Sequence, residues 1–390
     1  MTAATTAGTT YRERWAMSVE AKALLLVTAV LSALGLATLF SASALVAVQK
    51  GLPASTYLVQ QLTGVAAGIV VFMVAAKVDA QRLERVAWPM MILALVLMVA
   101  TLIPGVGSRI LGSKRFLLNG SVQPAEFAKI AVVVWTAMLV LRKGEKMRRL
   151  SKGMPVFLAV VGLLCAVAFV QPDLSMGLMF ALLMGIVLFA ANVRIGHFIV
   201  VGVLAAPLAW HELQKKQYVL ARIFSFFGSD KAPQALNHQQ FESLIAVGSG
   251  GLTGAGFGSG RQQYGWVPMG MDDFIASTIG EEWGFIGFTL VILAFALYAW
   301  LGFRIARQAR SPFLTLVALG FTAMVAITAY VHIGVVIDLL PNTGLTLPFF
   351  SNGRSNLVLT FLVTGILVNI GSTRERIYGT GASNPLGATA

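Results

Sequence analysis

Charge is scarce in this sequence: Asp, Glu, Lys and Arg supply 12% of its 390 residues, about half of the ~25% usual in a soluble globular chain. With 57% of the residues hydrophobic, water cannot be the solvent for most of the surface. A soluble domain could bury a large core, but it would not need repeated uncharged runs long enough to cross the ~30 Å of a bilayer's hydrocarbon. Cysteine is nearly absent, and Cys165 alone, inside an apolar run, excludes an intramolecular disulfide and a Cys-based metal cluster. The four histidines show no metal-ligand spacing, and no Ser-His-Asp trio can be assembled. The polar stretch Met1 to Ala21 lacks a short apolar core ending at a small-residue cleavage site, so the first hydrophobic span is expected to stay as a helix.

Acidic residues are fewer still, 16 against 29 Lys and Arg. The basic excess lies between apolar spans, not along one face. Arg142, Lys143, Lys146, Arg148, Arg149 and Lys152 crowd one short connection and Arg304, Arg307 and Arg310 another. That is the pattern of cytoplasmic loops beside anionic membrane lipid, and it argues against a nucleic-acid partner.

Apolar stretches run at about 22–48, 57–78, 86–104, 124–141, 155–171, 174–192, 196–212, 283–303, 313–340 and 355–371. They predict an all-α polytopic membrane protein of about ten transmembrane helices. An even number puts both termini on one side, and the basic loops make that side cytoplasmic. Residues 22–372 then form one membrane domain between cytoplasmic tails, 1–21 and 373–390, which read as disordered. One long extracytoplasmic loop, 213–282, joins the seventh and eighth helices. Its Ile223, Phe224, Phe226, Phe227, Phe257, Tyr264 and Trp266 are interleaved with Gly and charge, as in a segment lying along the interface.

Ionisable groups at membrane depth are costly, so each is a candidate functional residue. Glu126 and Lys129, three apart behind the first-turn residue Pro124, share a helix face and can neutralise each other. They either lock packing or line a polar cavity, and both can hold together. Asp173 reads as a helix N-cap. Asp272, Asp273, Glu281 and Glu282 cluster where the long loop returns to the membrane. Two adjacent Asp are not expected to share a face, so at most one points inward. Asp338 near the end of the ninth span is a candidate partner for Arg354. The run from Gly248 to Gly260 lacks the Gly-Lys-Ser/Thr ending of a nucleotide loop and reads as a tight turn where backbone approaches backbone.

Taken in order, the motifs resemble the SEDS family of shape, elongation, division and sporulation proteins, over roughly Ser18 to Ser372. They are Phe40-Ser-Ala-Ser43, Gly112-Ser-Lys-Arg115-Phe116, Gln123-Pro-Ala-Glu126-Phe-Ala-Lys129, Gln171-Pro-Asp173-Leu174, Arg222, and Gly248-Ser-Gly-Gly-Leu to Gly258. Asp273-Phe-Ile, Ile279-Gly-Glu-Glu282 and Leu345-Thr-Leu-Pro348-Phe-Phe-Ser351 follow. The Ser-Ala-Ser and Ile-Gly-Glu-Glu elements resemble the division branch more than the elongation branch.

The resemblance implies polymerisation of lipid II, in which the 4-hydroxyl of one sugar attacks the anomeric carbon of another that carries a polyprenyl diphosphate. It makes Asp273 the catalytic base, with Asp272 and the nearby Glu pair supplying like-charge pressure. Glu126 and Lys129 are implied to line a central cavity, and Ser351 to be a substrate-binding position. Arg115, Arg222 and Lys129, with Arg354 or a divalent cation (Mg or Mn), would neutralise the diphosphate. Departures from the family pattern are Asn352-Gly-Arg354 where Tyr-Gly-Gly is usual, Asp272 where Thr is common, Ser175 for Gly, Phe116 for Trp, and Met269-Gly-Met271 for a more polar stretch. The implied partners are a class B penicillin-binding protein and other division proteins, in the inner membrane at the septum. The competing readings are a lipid II flippase, an elongation-type polymerase and a non-catalytic division scaffold.

Overall fold

The computed structural model describes residues 11–110, 113–117, 120–214, 220, 222, 226, 234–261, 264 and 270–378. Every expected apolar stretch carries a helix: α1 (Val19–Gln49), α2 (Thr56–Lys77), α3 (Leu83–Ala100), α4 (Pro124–Lys143), α5 (Pro155–Val170), α6 (Leu174–Ala190) and α7 (Ile195–Gln214). After α8 (Gln234–Ser249) come α9 (Ile275–Arg307), α10 (Pro312–Val336) and α11 (Arg354–Ile370). Six of these segments, containing α1, α2, α3, α4, α9 and α10, are long and apolar enough to cross a membrane, and four shorter apolar helices accompany them. The protein is a multi-pass membrane protein.

The starts of the helices follow local chemistry. Ser18 and Ser311 cap α1 and α10 by accepting from the N–H groups of Ala21 (3.1 Å) and Leu314 (3.3 Å). Prolines open α4, α5 and α10, where a missing N–H costs nothing. The outermost helix faces keep large apolar side chains exposed, among them Val59, Ile69, Val70 and Val74 on α2, as lipid contact requires. The centre is α4, buried from Glu126 to Val140 with one half-buried position at Phe127 and packed against α3, α6, α10 and α11. Trp135 in its middle meets Trp88 and Phe157 edge-on, with ring centroids 5.3 and 5.5 Å away.

The stretch expected as one loop is more structured than its composition suggested. It contains α8, and α9 begins at Ile275, ahead of the predicted 283. Gly284 breaks α9 with φ 65°, and the glycine-rich turn fills the break. In an unbroken helix Phe285 and Ile286 would donate to Glu281 and Glu282. Here their N–H groups go to the carbonyls of Gly251 (2.8 Å) and Leu252 (3.1 Å), while Ala255 and Gly256 donate to the carbonyls of Glu281 (2.9 Å) and Glu282 (3.0 Å). Four backbone groups freed by the kink are thus satisfied by one neighbour, as a low-dielectric setting demands. The approach needs glycine: at Gly254, with φ 85°, a Cβ would overlap the Glu282 carbonyl. Gly254→Val should therefore lose at least ~1–3 kcal/mol to backbone strain, read as a lower thermal midpoint in detergent; an unchanged midpoint would remove this account of the turn.

Part of each tail, expected as disordered, is paired. Tyr11–Met17 (β1) and Ser372–Tyr378 (β4) pair antiparallel, with Tyr11 opposite Tyr378 and Met17 opposite Ser372. The cause is long-range: Ser18 N–H donates to the Gly371 carbonyl (3.1 Å), so α1 begins beside the end of α11 and the flanking segments meet. A second ribbon, Ser108–Ile110 (β2) with Ser113–Phe116 (β3), precedes α4. Ile223, Phe224, Phe227, Trp266 and Met269 lie outside the described residues.

Candidate active site

The starts of α4, α6, α9 and α11 and the end of α10 meet at one end of the bundle. There a cavity of about 250 Å³ is lined by Arg115, Gln123, Asp272, Asp273, Asn352 and Arg354, among others. At the opposite end a depression of about 620 Å³, lined in part by Gly144, Asn192 and Pro312, holds none of the sequence's candidate residues.

Asp273 stands on the turn immediately before α9. Across from it is Gly344, whose φ of 67° and missing side chain leave room for two groups. A Cβ there would lie 3.5 Å from Asp273 Oδ2 and 3.8 Å from Arg222 Nη2. Burial pushes the Asp273 carboxyl above the ordinary carboxylate range; the positive charges of Arg115 and Arg222 oppose this, and the negative charge of Asp173 adds to it. Arg115, on β3, reaches Asp173 at 3.6 Å and stacks beside the ring of Phe116. Asp173 does cap α6, through the Met176 N–H (3.3 Å), and also receives Gln123 Nε2 (3.5 Å). Cap and site residue are therefore one.

Asp272 and Asp273 both line the cavity, against the expectation that consecutive residues cannot share a face. That expectation holds for a strand or helix, but residues 270–274 form turns. Three hydrogen bonds from the start of α11 hold this turn: Ser351 Oγ to the Asp272 carbonyl (2.6 Å), Asn352 N–H to the Met271 carbonyl (3.0 Å), and Asn352 Nδ2 to Asp272 Oδ1 (3.1 Å). The Ser351 hydroxyl, expected as a substrate contact, also accepts from Leu347 N–H (2.8 Å) and is buried. Burial and the neighbouring Asp273 charge push the Asp272 carboxyl up to about 6, opposed by the Asn352 hydrogen bond and by Lys50.

The like-charge pressure on Asp273 comes from Asp173 and not from the Glu pair. Glu281 accepts from Arg261 N–H (2.6 Å), just after the glycine-rich run, and Glu282 from Ser41 Oγ on α1. Asp338 does not pair with Arg354 either. It accepts from Gln240 Nε2 (3.1 Å), whereas Arg354 donates to Ser121 Oγ (3.1 Å).

Beneath the cavity Lys129 Nζ meets Glu126 Oε2 at 2.8 Å, both side chains buried. A void of about 10 Å³ adjoins them, lined by Thr328, Pro348, Asn356 and Thr360 among others; it has room for about one water. Asn356 lines both spaces, so polar groups run from the mouth to the centre of the bundle. Sequence reasoning missed Gln61 and Asn356, and saw in Asn352 only a departure from the family pattern. Gln61 Nε2 donates to the Ser351 carbonyl (3.1 Å) and so holds in place a residue that clamps the turn bearing Asp272. Two consecutive glutamines in the otherwise apolar α2 were the available signal.

Among the described residues no three His, Cys, Asp or Glu side chains form a group that could hold a metal ion on their own.

Comparison with known proteins agrees with the fold. The sequence pattern of the FtsW, RodA and SpoVE family, described as cell cycle protein, matches residues 21–376. The probable peptidoglycan glycosyltransferase FtsW of Trichlorobacter lovleyi is 35% identical over 349 residues, 89% of this chain and 92% of that protein. Stage V sporulation protein E of Bacillus subtilis is 34% identical over 349 residues, 89% and 95% of the two chains. Among solved structures, a chain of a peptidoglycan synthase complex that coordinates polymerization and crosslinking superposes with a TM-score of 0.74 at 24% identity, covering 90% of this chain and 97% of that one. The rod shape determining protein RodA of Thermus thermophilus gives 0.65 at 25%, covering 90% and 95%.

Proposed function

This chain belongs to the FtsW, RodA and SpoVE family, and from that premise we propose that it is a peptidoglycan glycosyltransferase of the division type, polymerising lipid II. The observation that carries the assignment is the placement of Asp273 on a cavity wall with Arg115 and Arg222 acting on it. Asp273 takes the proton from the acceptor's 4-hydroxyl as that oxygen bonds to the anomeric carbon. The bond from that carbon to the diphosphate breaks, and its electron pair leaves with the diphosphate. A carboxylate with a raised pKa is a suitable base at neutral pH, and preorganised guanidinium groups stabilise the departing charge without reorganising. Arg115, Arg222 and Arg354 supply that charge near the mouth. Lys129, neutralised by Glu126, supports the polar floor. No step is assigned to Mg or Mn.

The basic connections at the end opposite Asp273 support a cytoplasmic placement for that end and for both termini, with the site on the outer face of the inner membrane at the septum. The class B penicillin-binding protein partner would sit along the eighth and ninth spans, where α9 leaves Phe285, Ile286 and Leu290 exposed.

Purified protein incubated with fluorescent lipid II should yield glycan strands on a gel. Movement of the lipid across liposomes with no polymer would replace the enzyme by a flippase, and neither activity would favour a scaffold.

A further inference from the structure

Polymerisation at Asp273 makes no use of the depression at the other end of the bundle. There α4 ends at Lys143, α6 ends at Ala190 and α10 begins at Pro312. These three helices pack on one another, and the hollow of about 620 Å³ opens where their ends meet. Membrane helices end where hydrocarbon gives way to headgroups, so a hollow bounded by helix ends lies at headgroup depth. Its wall is of two kinds. Val140, Met147 and Leu316 form a buried apolar part, while Asn192, Arg310 and Ser311 are polar. Leu141 is 42% exposed on the same wall, although it follows the buried run of α4 directly. A Cβ on Gly144, also on the wall, would meet no atom within 4 Å. The lip is fixed in place: Arg310 pairs with Asp79, and Ser311 Oγ donates to Gln81 Oε1 (2.8 Å). That pairing leaves further guanidinium N–H groups for another acceptor.

The surroundings are cationic. Arg142, Lys146, Arg148 and Arg149 follow α4, and Arg194 follows Asn192; all are exposed and none forms an ion pair among the described residues. Between Leu141 and Pro155 the sequence has one carboxylate, Glu145. A diffuse layer of surface cations needs no hollow, and an apolar hollow needs no cations. The two together fit an amphiphile with an anionic head. We propose that this depression seats an anionic phospholipid of the adjoining leaflet. Its phosphate meets Arg310 and the neighbouring cations at the lip, and the first carbons of its chains lie against Val140, Leu141 and Leu316. An acidic peptide would satisfy the cations but would have to carry an apolar side chain of its own to this depth, which a phospholipid does by construction. The site is separate from lipid II polymerisation and needs no part of the glycosyltransferase reading.

Full-length protein in detergent, titrated with phosphatidylglycerol or phosphatidylcholine and read by native mass spectrometry, tests the site. Phosphatidylglycerol should be retained saturably at roughly tenfold lower concentration, the preference that one or two cations near a headgroup confer. Ala190→Phe and Thr315→Phe leave every charge in place and fill the depression, and each should abolish that preference. Arg142→Gln combined with Arg149→Gln keeps the hollow and should weaken phosphatidylglycerol about tenfold while leaving phosphatidylcholine unchanged. Ala190 is exposed and Thr315 half-buried, so neither added ring has to displace the core, and either filled variant decides by itself. Wild-type affinity for phosphatidylglycerol in a filled variant would reduce the cations to a diffuse surface layer and overturn the proposal. Equal retention of the two lipids by wild-type protein would overturn it as well. If poly-L-glutamate bound in their place and was lost from the filled variants, the depression would belong to an acidic protein segment and not to a lipid.

Discussion

Asp273→Asn protein is expected to bind lipid II and to make no detectable glycan, a loss of about 10²–10⁴-fold if the carboxylate acts as general base. The amide is nearly isosteric, so the turn stays clamped by Ser351 and Asn352 and the cavity keeps its shape. What is lost is the acceptor of the proton. Binding and chemistry should therefore separate, with affinity for fluorescent lipid II and the thermal midpoint both near wild type while polymer disappears. A variant that polymerises at the wild-type rate would end the assignment. A variant that loses binding as well would make Asp273 part of the substrate's seat and leave the base to be found elsewhere.

The second large effect is on stability. Lys129→Met should destabilise by about 3–5 kcal/mol, the usual cost of breaking a buried pair from one side. The methionine fills the space, but Glu126 stays behind without the ammonium that it meets at 2.8 Å. The double variant Glu126→Gln with Lys129→Met should recover much of the loss, because both charges are then gone and only polar groups remain to be satisfied. Thermal midpoints in detergent for the two singles and the double form the necessary cycle. A Lys129→Met protein as stable as wild type would show that the ion pair does not hold the helices, leaving only a role in the polar floor.

Periodicity and short-range chemistry made the helices legible. Pro124 marked the start of α4, and the spacing of Glu126 and Lys129 put them on one face, where they are found. The start of α9 was illegible for a physical reason. Glu281 and Glu282 look like residues of an aqueous loop, and only the glycine-rich turn arriving from more than 20 positions earlier shows why two carboxylates can sit inside a helix. Asp173 had a sufficient local explanation as a cap, which hid its meeting with Arg115, more than fifty residues away in sequence. The shared wall of Asp272 and Asp273 depends on a turn whose clamp comes from residues 351 and 352. Local pattern carries no trace of contacts made by chain that returns so late.

Because Ser18 and Gly371 are joined by a backbone hydrogen bond, the described chain leaves the bundle beside the point where it enters. The bundle is in effect a closed circuit with a small gap. Because β1 and β4 are paired, a pull on either strand would load α1 and α11 together, the first of which reaches Glu282 and the second the clamp beside the reacting carboxylates.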